Sequence, residues 1–310
     1  MEILYDLIIV GGGPAGAAAG VYAARKRLKS ILITGEFGGQ SSVSTEIQNW
    51  IGTVAISGSK LATDLRAHVE AYAGNVLTVN EGEYAKSAMK NDNGIITVTT
   101  DKGVYKARAL LVATGSHHRK ITVPGADIYE HKGITYCASC DGLLFSDMDV
   151  VVLGAGNAAF ETASQLLAYC KSVTLLHRGD AFRADPITVE NICANPKMRV
   201  IKNAELLEVK GGAMVSSLVY KDKITGNIKE IPTHGIFVEI GQIPNTSFVK
   251  DVVAMNEQGQ IVIDPRTQKT NTPGIWAAGD CTDILYHQNN IAAGDAVRAL
   301  ENIYHEIHSS

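Results

Sequence analysis

Cys137 and Cys140 stand two residues apart in the stretch TYCASCDGLLF (135–145), and Asp141 follows at once. A cysteine pair at this spacing can clip a metal, crosslink the chain or cycle between thiol and disulfide. Zinc needs four ligands at usable spacing, yet the chain has no second CxxC and its nine histidines include no pair placed to complete a set. No metal is expected. A purely structural crosslink gains little from so small a loop, because the stabilisation grows with the length of chain enclosed. Redox chemistry remains: the two thiols can be oxidised and reduced with little backbone movement, and a neighbouring acid can manage the proton. Without further context, Asp141 could equally cap the turn that follows the motif. The other cysteines read as small apolar residues, Cys170 and Cys193 in or beside helices and Cys281 beside a glycine turn.

Two segments could bring a nucleotide to such a centre. DLIIV (6–10) is a short apolar run of the kind that makes a buried parallel strand, and GGGPAG (11–16) follows directly. Gly11, Gly13 and Gly16 have the GxGxxG spacing: room for a tight turn, close backbone approach to a diphosphate, and close packing of helix on strand. The phosphates would sit on amides at the helix start, where the dipole favours negative charge. One such turn is weak evidence, since glycine-rich turns serve many α/β folds. MDVVVLGAGNAAFETASQLL (148–167) repeats the arrangement, with Gly154-x-Gly156-x-x-Ala159 between an apolar strand and a helix. Two dinucleotide turns in one chain suggest electron transfer between two cofactors.

About 20 residues past the second glycines, where a carboxylate would hold an adenosine ribose, the chain reads LLHRGDAFRAD (175–185). His177, Arg178 and Arg183 there suit a 2′-phosphate, so NADPH is expected over NADH, the bland alternative being that they merely end a strand at the surface. ALLVATGS (109–116) and GIWAAGDCT (274–282) are further apolar strands running into small-residue turns. Asp280, after Gly279, is placed either to accept from sugar hydroxyls or to cap a turn. HQNNIAAGDAVRALENIYHEI (287–307) shows apolar residues at helical spacing behind polar caps. Aimed at a flavin ring, the start of that helix would stabilise the anionic reduced form.

A length of 310 residues leaves room for two domains, and 45% apolar residues with 30 glycines point to an α/β chain with several tight turns. A net charge of -4, with no basic run longer than RKR (25–27), argues against nucleic acid and membrane surfaces as partners. LIIVGGGPAGAAAGVYAA (7–24) resembles the apolar part of an export signal, but Glu2 and Asp6 stand where a positive region would. No other stretch approaches a membrane span. Five scattered cysteines differ from the dense framework of a small secreted domain, so a reducing cytoplasm is the expected compartment.

GGGPAG, FGGQ (37–40), IQNWIG (47–52), VATGS (112–116), TYCASCDG, GAGNAAFE, HRGDAFRAD, GIFVEIGQIPNT (235–246) and AAGDCTDILYHQ (277–288) occur in a fixed order. From first strand to last helix the chain resembles the low-molecular-weight, bacterial-type thioredoxin reductases. The resemblance implies an α/β fold of two Rossmann-like dinucleotide-binding domains, in class II of the pyridine nucleotide-disulfide oxidoreductases. An FAD domain would comprise 1–117 and 245–310, with an NADPH domain carrying the CxxC, 118–244, inserted. By the same resemblance Gly11, Gly13, Pro14, Ala15, Gly16, Gly39, Gln40, Asn49, Thr114, Gly279, Asp280 and Gln288 contact FAD. Gly156, Asn157, Ala158, His177, Arg178 and Arg183 line the NADPH site.

Electrons are then expected to pass from NADPH through FAD to the Cys137–Cys140 disulfide, and on to thioredoxin or a thioredoxin-like protein. In that scheme Cys140 faces the flavin, Cys137 attacks the partner and Asp141 is the acid/base. The resemblance also implies a homodimer, and an inserted domain that rotates on hinges near 116–120 and 241–246. There are departures. His177-Arg178-Gly179 lacks one cation of the family's His-Arg-Arg run, His287 replaces a basic residue before the flavin-contacting glutamine, and Asn289 follows it in place of an apolar one. The alternative is therefore an NADH- or ferredoxin-linked disulfide reductase of the same fold, serving a peroxiredoxin or glutaredoxin-like partner. A flavin sensor without turnover is disfavoured by the intact CASCD. The reductase part of the flavoprotein subunit of alkyl hydroperoxide reductase shares FGGQ, CxxCDG and AAGDC and carries an extra thioredoxin-like module. A first strand beginning within ten residues of Met1 sets the expectation that this chain lacks it.

Overall fold

Apolar runs that alternate with helices call for parallel sheets covered on both faces. The computed structural model, which describes residues 3–44 and 46–309, contains two such sheets. They belong to two compact units. One takes the chain up to Val43, Trp50–His117 and everything from Ile243 on; the other takes Ser44–Asn49 and His118–Gln242. The short stretch Ser44–Asn49, inside the expected span 1–117, clusters with the second unit. Asn49 is thereby grouped with the second unit, next to the fully buried Ile47.

The first unit holds β1 (Leu4–Val10), β2 (Ser30–Thr34), β3 (Leu77–Glu81), β4 (Ala85–Lys90), β5 (Ile96–Thr100) and β6 (Val104–Val112) in the order β3-β2-β1-β6-β5-β4. Pairing is parallel through β3, β2, β1 and β6, antiparallel through β5 and β4, and Ile275–Ala277 adds in parallel along the end of β6. Alternate residues of β1 feed opposite cores. Leu7 and Ile9 pack with α1 (Pro14–Arg25) and the C-terminal helix Asn289–His308, whereas Ile8 and Val10 pack with Ile31, Ile33, Val98 and Leu110. That is why DLIIV is apolar without a break; each such fully buried side chain contributes about 1.5–3 kcal/mol. On α1 a run of Ala and Gly faces the sheet and brings the helix close. The adjoining α2 (Gly58–Ala73) starts where the Ser57 side chain accepts from the Lys60 amide at 3.2 Å and stops at Gly74, whose φ of +48° suits glycine.

From residue 116 the chain forms β7 (Ser116–His118), β8 (Ile134–Thr135), α3 (Ala138–Asp141), β9 (Asp149–Gly154), α4 (Asn157–Leu167), β10 (Ser172–Leu176), α5 (Pro186–Cys193), β11 (Met198–Ile201), β12 (Ala204–Gly211), β13 (Val215–Asp222), β14 (Ile228–Pro232), β15 (Gly235–Glu239) and β16 (Gln242–Pro244). In the second unit the parallel sheet runs β11-β10-β9-β15-β8. Val150 and Val152 of β9 pack under α4, while Val151 and Leu153 meet the antiparallel meander β12-β13-β14 on the other face. The connecting strands β7 and β16 pair with each other.

Both sheets reverse their winding beside the strand that enters a glycine turn. The chain proceeds from β1 to β2 and β3, then returns to β6 on the far side of β1; likewise β9, β10 and β11 are followed by β15 on the far side of β9. Open α/β sheets bind ligands outside the carboxyl ends of the strands at such a reversal.

Candidate active site

At the first reversal the turn after β1 leaves no room for side chains. Gly11 has φ of +120°, and a Cβ there would lie 2.1 Å from the Ala113 carbonyl oxygen; one on Gly16 would lie 1.8 Å from the Gly11 oxygen. Gly13 caps α1 with no side chain, and Pro14 opens the helix, so the first amides of α1 face outward unspent on a cap. Gly39, at φ of +58°, packs against Gly13 with 3.3 Å between its notional Cβ and the Gly13 Cα. Gly279, at φ of +76°, sits against Ala15 of α1 and Ala292 of the C-terminal helix. Two helix starts thus converge on one turn, beside Asp280. Burial pushes the Asp280 carboxyl above the usual range, and the nearby His287 acts the other way.

Gln40 donates from Nε2 to Ser116 Oγ at 3.2 Å, while its Oε1 is buried with no hydrogen-bond partner. A buried acceptor left open beside a floor that excludes every Cβ is what a bound dinucleotide's N–H or O–H groups would satisfy, so these residues fit such a group. Thr114 is tied to the chain where it re-enters the first unit: its Oγ1 donates to Asn245 O at 2.7 Å and its carbonyl accepts from Asn245 Nδ2 at 3.0 Å. Gln288 caps the C-terminal helix through its backbone position. The next residue, Asn289, accepts from Ser41 Oγ at 2.9 Å, so this polar group is committed to holding the Gln40 segment. Of the residues expected here, only Asn49 is grouped elsewhere.

The second turn is assembled alike. Gly156 caps α4, Asn157 Oδ1 accepts the Asp185 amide at 2.9 Å, and the Arg183 amide donates to Ala155 O at 2.8 Å, which draws Arg183 beside the turn with Gly156, Asn157 and Ala158. His177, at the end of β10, makes a 3.1 Å contact from Nε2 to Ala181 O. Its pKa is lowered, by burial first and then by Arg183, Arg178 and Lys202. Arg178 and Arg183 are exposed. Lys202 lies over the Phe182 ring, its Nζ 4.2 Å from the centroid, and Lys223 Nζ donates to Arg178 O at 3.3 Å. No sequence signal points to these two lysines. They come from the ends of β11 and β13, distant in sequence, and add positive charge around Gly179.

The cysteine pair is closed as a disulfide, with its Cα atoms 5.3 Å apart. Cys137 caps α3, its Sγ accepting the Cys140 amide at 3.1 Å, and the Asp141 amide donates to Cys137 O at 3.0 Å. Thr135 Oγ1, on β8, donates a short hydrogen bond to Asp141 Oδ2. Burial raises the Asp141 pKa, opposed by Thr135 and by His131. Leu143 and Leu144, 58% and 50% exposed, follow at once on a short 3-10 turn. Because β8, β15 and β9 are parallel, the disulfide and the second nucleotide turn lie on the same carboxyl edge of one sheet. The remaining thiols are poor nucleophiles: Cys170 and Cys281 are buried and each pushed to about 11 by burial. Cys193, read as a small apolar residue in or beside a helix, ends α5 and is exposed. Among the described residues there is no cluster of His, Cys, Asp and Glu able to hold a metal, and no helix is long and apolar enough to cross a membrane.

The model of the pyridine nucleotide-disulphide oxidoreductase family matches residues 5–301. An alkyl hydroperoxide reductase subunit from Escherichia coli is 40% identical over 297 residues, which cover 95% of this chain and 57% of that protein. A Bacillus subtilis protein named NADH dehydrogenase is 36% identical over 296 residues, again 95% and 57%. The chain therefore spans little more than half the length of these curated relatives. The solved thioredoxin reductase of Streptococcus pyogenes superposes over the whole of both chains with a TM-score of 0.91 at 33% identity, and that of T. acidophilum with 0.67 at 34%, covering 98% and 99%. With two glycine turns at two sheet reversals and a disulfide beside the second, this chain belongs to the pyridine nucleotide-disulphide oxidoreductases and is of the low-molecular-weight thioredoxin reductase-like kind.

Proposed function

We propose that the protein is an NADPH-dependent thioredoxin-disulfide reductase that carries FAD. Gly11, Gly13, Pro14, Ala15, Gly16, Gly39, Gln40, Thr114, Gly279, Asp280 and Gln288 would hold the flavin nucleotide, and Gly156, Asn157, Ala158, His177, Arg178 and Arg183 the NADPH. Bound FAD supplies two-electron transfer between a reduced nicotinamide and a disulfide. What carries the reading is the Cys137–Cys140 disulfide on the same sheet edge as the second nucleotide turn.

Electrons and protons balance on the chain's own sulfurs. Two electrons and two protons open the Cys137–Cys140 bond to two thiols. Cys137, as thiolate, attacks a disulfide of the partner and releases one partner thiol; Cys140 then attacks Cys137, frees the second partner thiol and restores the bond. Asp141, held by Thr135, keeps a proton to higher pH than an ordinary carboxyl and can deliver it to the departing sulfur. Leu143 and Leu144 present an apolar rim next to the disulfide, suited to a protein partner.

A second reading keeps the chemistry and changes the acceptor: a thioredoxin-like carrier that serves a peroxiredoxin. The 40% identity to the Escherichia coli alkyl hydroperoxide reductase protein, against 33% and 34% for the two thioredoxin reductases, favours it. Turnover with NADPH and with NADH, each with thioredoxin plus a terminal protein disulfide and with a separate thioredoxin-like carrier plus peroxiredoxin and peroxide, separates the readings. Reduction of thioredoxin by NADPH without peroxiredoxin supports the first; turnover confined to the peroxide-coupled assay or to NADH overturns it in favour of the second.

A further inference from the structure

At the reversal of the second sheet, β9 ends at Gly154, and its register partner on β15 is Glu239. The two strand ends touch, since a Cβ on Gly154 would lie 2.4 Å from the Glu239 carbonyl oxygen. On the other side of β15, β8 leads through Tyr136 to Cys137. Glu239 thus stands on the carboxyl edge between the nucleotide turn and the disulfide, where an open α/β sheet receives its ligand. The sequence alone gives it no role.

The side chain is held in place without being neutralised. Its Oε1 accepts from Thr162 Oγ1 of α4 at 2.7 Å. The one charge that acts on it is the like charge of Glu161, also on α4; the strands packed around β15, namely β8, β9 and β13, bring no cation to it among the described residues. Burial, reinforced by Glu161 and opposed by Thr162, raises its carboxyl to about 7. A carboxyl at a diphosphate crevice is favourable when neutral, as a hydrogen-bond donor, and unfavourable when ionised, as a like charge.

We propose that Glu239 is an affinity-setting residue of the second site, admitting a nicotinamide nucleotide when neutral and repelling its diphosphate when charged. This rests on the reading of the second turn as the nucleotide site. Glu239→Gln keeps an acceptor for Thr162 and removes the charge. Dissociation constants for NADP⁺ would be measured on the protein as isolated, by fluorescence titration from pH 5.5 to 8.5. The wild-type-to-variant ratio at each pH cancels the titration of the ligand's own 2′-phosphate and of His177. The expected ratio is near one at the acid end and rises through pH 7 to roughly five- to tenfold, the size of one like charge close to a surface diphosphate. A ratio that does not change with pH overturns the proposal. Arg178→Ala, titrated alongside, separates the causes. If it binds NADP⁺ weakly while the Glu239→Gln ratio stays flat, the role of Glu239 alone falls; if it binds as well as wild type, the site assignment falls and the proposal with it.

Discussion

Removing the exposed cations of the second turn should change nucleotide choice by a calculable amount. Arg178 and Arg183 both reach solvent, and Arg183 is drawn to the glycine turn by its own backbone bond to Ala155. A guanidinium–phosphate contact is charge-assisted, but at an exposed site solvent screening reduces it to about 1 kcal/mol, or about fivefold in binding. Two such contacts on one 2′-phosphate, with Lys202 and His177 still present, give roughly 10- to 30-fold for the double variant Arg178→Ala/Arg183→Ala. The loss should fall on kcat/KM for NADPH, with that for NADH unchanged within about twofold, because NADH has no 2′-phosphate. Raising the salt should shrink the wild-type preference and leave that of the double variant where it was. Gly179→Arg should recover little, since a Cβ at 179 would lie 2.8 Å from His177 Nε2 and the imidazole would have to move. Steady-state rates with a small disulfide acceptor read all of this. A double variant that keeps the wild-type NADPH-to-NADH ratio would refute the assignment of these residues.

Gly16→Ala places a Cβ 1.8 Å from the Gly11 carbonyl oxygen, so the first turn cannot keep its shape; the variant should purify with most of its flavin absorbance lost, and full absorbance per chain would contradict that site. Leu143→Ser/Leu144→Ser should raise KM for a protein disulfide by roughly tenfold, from the loss of two buried apolar contacts, and leave turnover of a small aromatic disulfide within about twofold. Asp141 has a raised pKa, so its proton is present at low pH and lost as pH rises through that value. Partner reduction in the wild type should therefore fall along that limb, whereas Asp141→Asn should be slower by about 100-fold at the acid end and flat across the same range, as pH profiles of both proteins will show.

Much of this site is local in the chain and therefore legible. Gly11, Gly13 and Gly16 announce a turn because three glycines at that spacing serve a steric need, which the fold then displays as carbonyl oxygens standing where side chains would begin. CASCD is legible for the same reason: five consecutive residues carry both sulfurs and the acid. What could not be read depends on neighbours brought by the fold. Thr135 holds Asp141 because β8 ends beside α3, and Lys202 acts on His177 and Lys223 reaches the Arg178 carbonyl because β11 and β13 end there. The meander β12-β13-β14 alternates apolar and polar residues only loosely, as in the exposed IKEIP of β14, and gives a weak strand signal. Glu239 closes an apolar strand in GIFVE, where a single acid reads as the strand's solvated end; its register with Gly154 exists only in the sheet.

Electrons from a reduced nicotinamide nucleotide are expected to reach Cys137 and Cys140. The most direct test is to mix the protein with one excess portion of NADPH without oxygen, trap thiols with an alkylating reagent, and map the adducts by mass spectrometry. Cys137 and Cys140 should both be alkylated only after NADPH, while Cys170 and Cys281, buried in native protein, are unaffected by it. Flavin bleaching with the 137–140 disulfide left intact would contradict the claim.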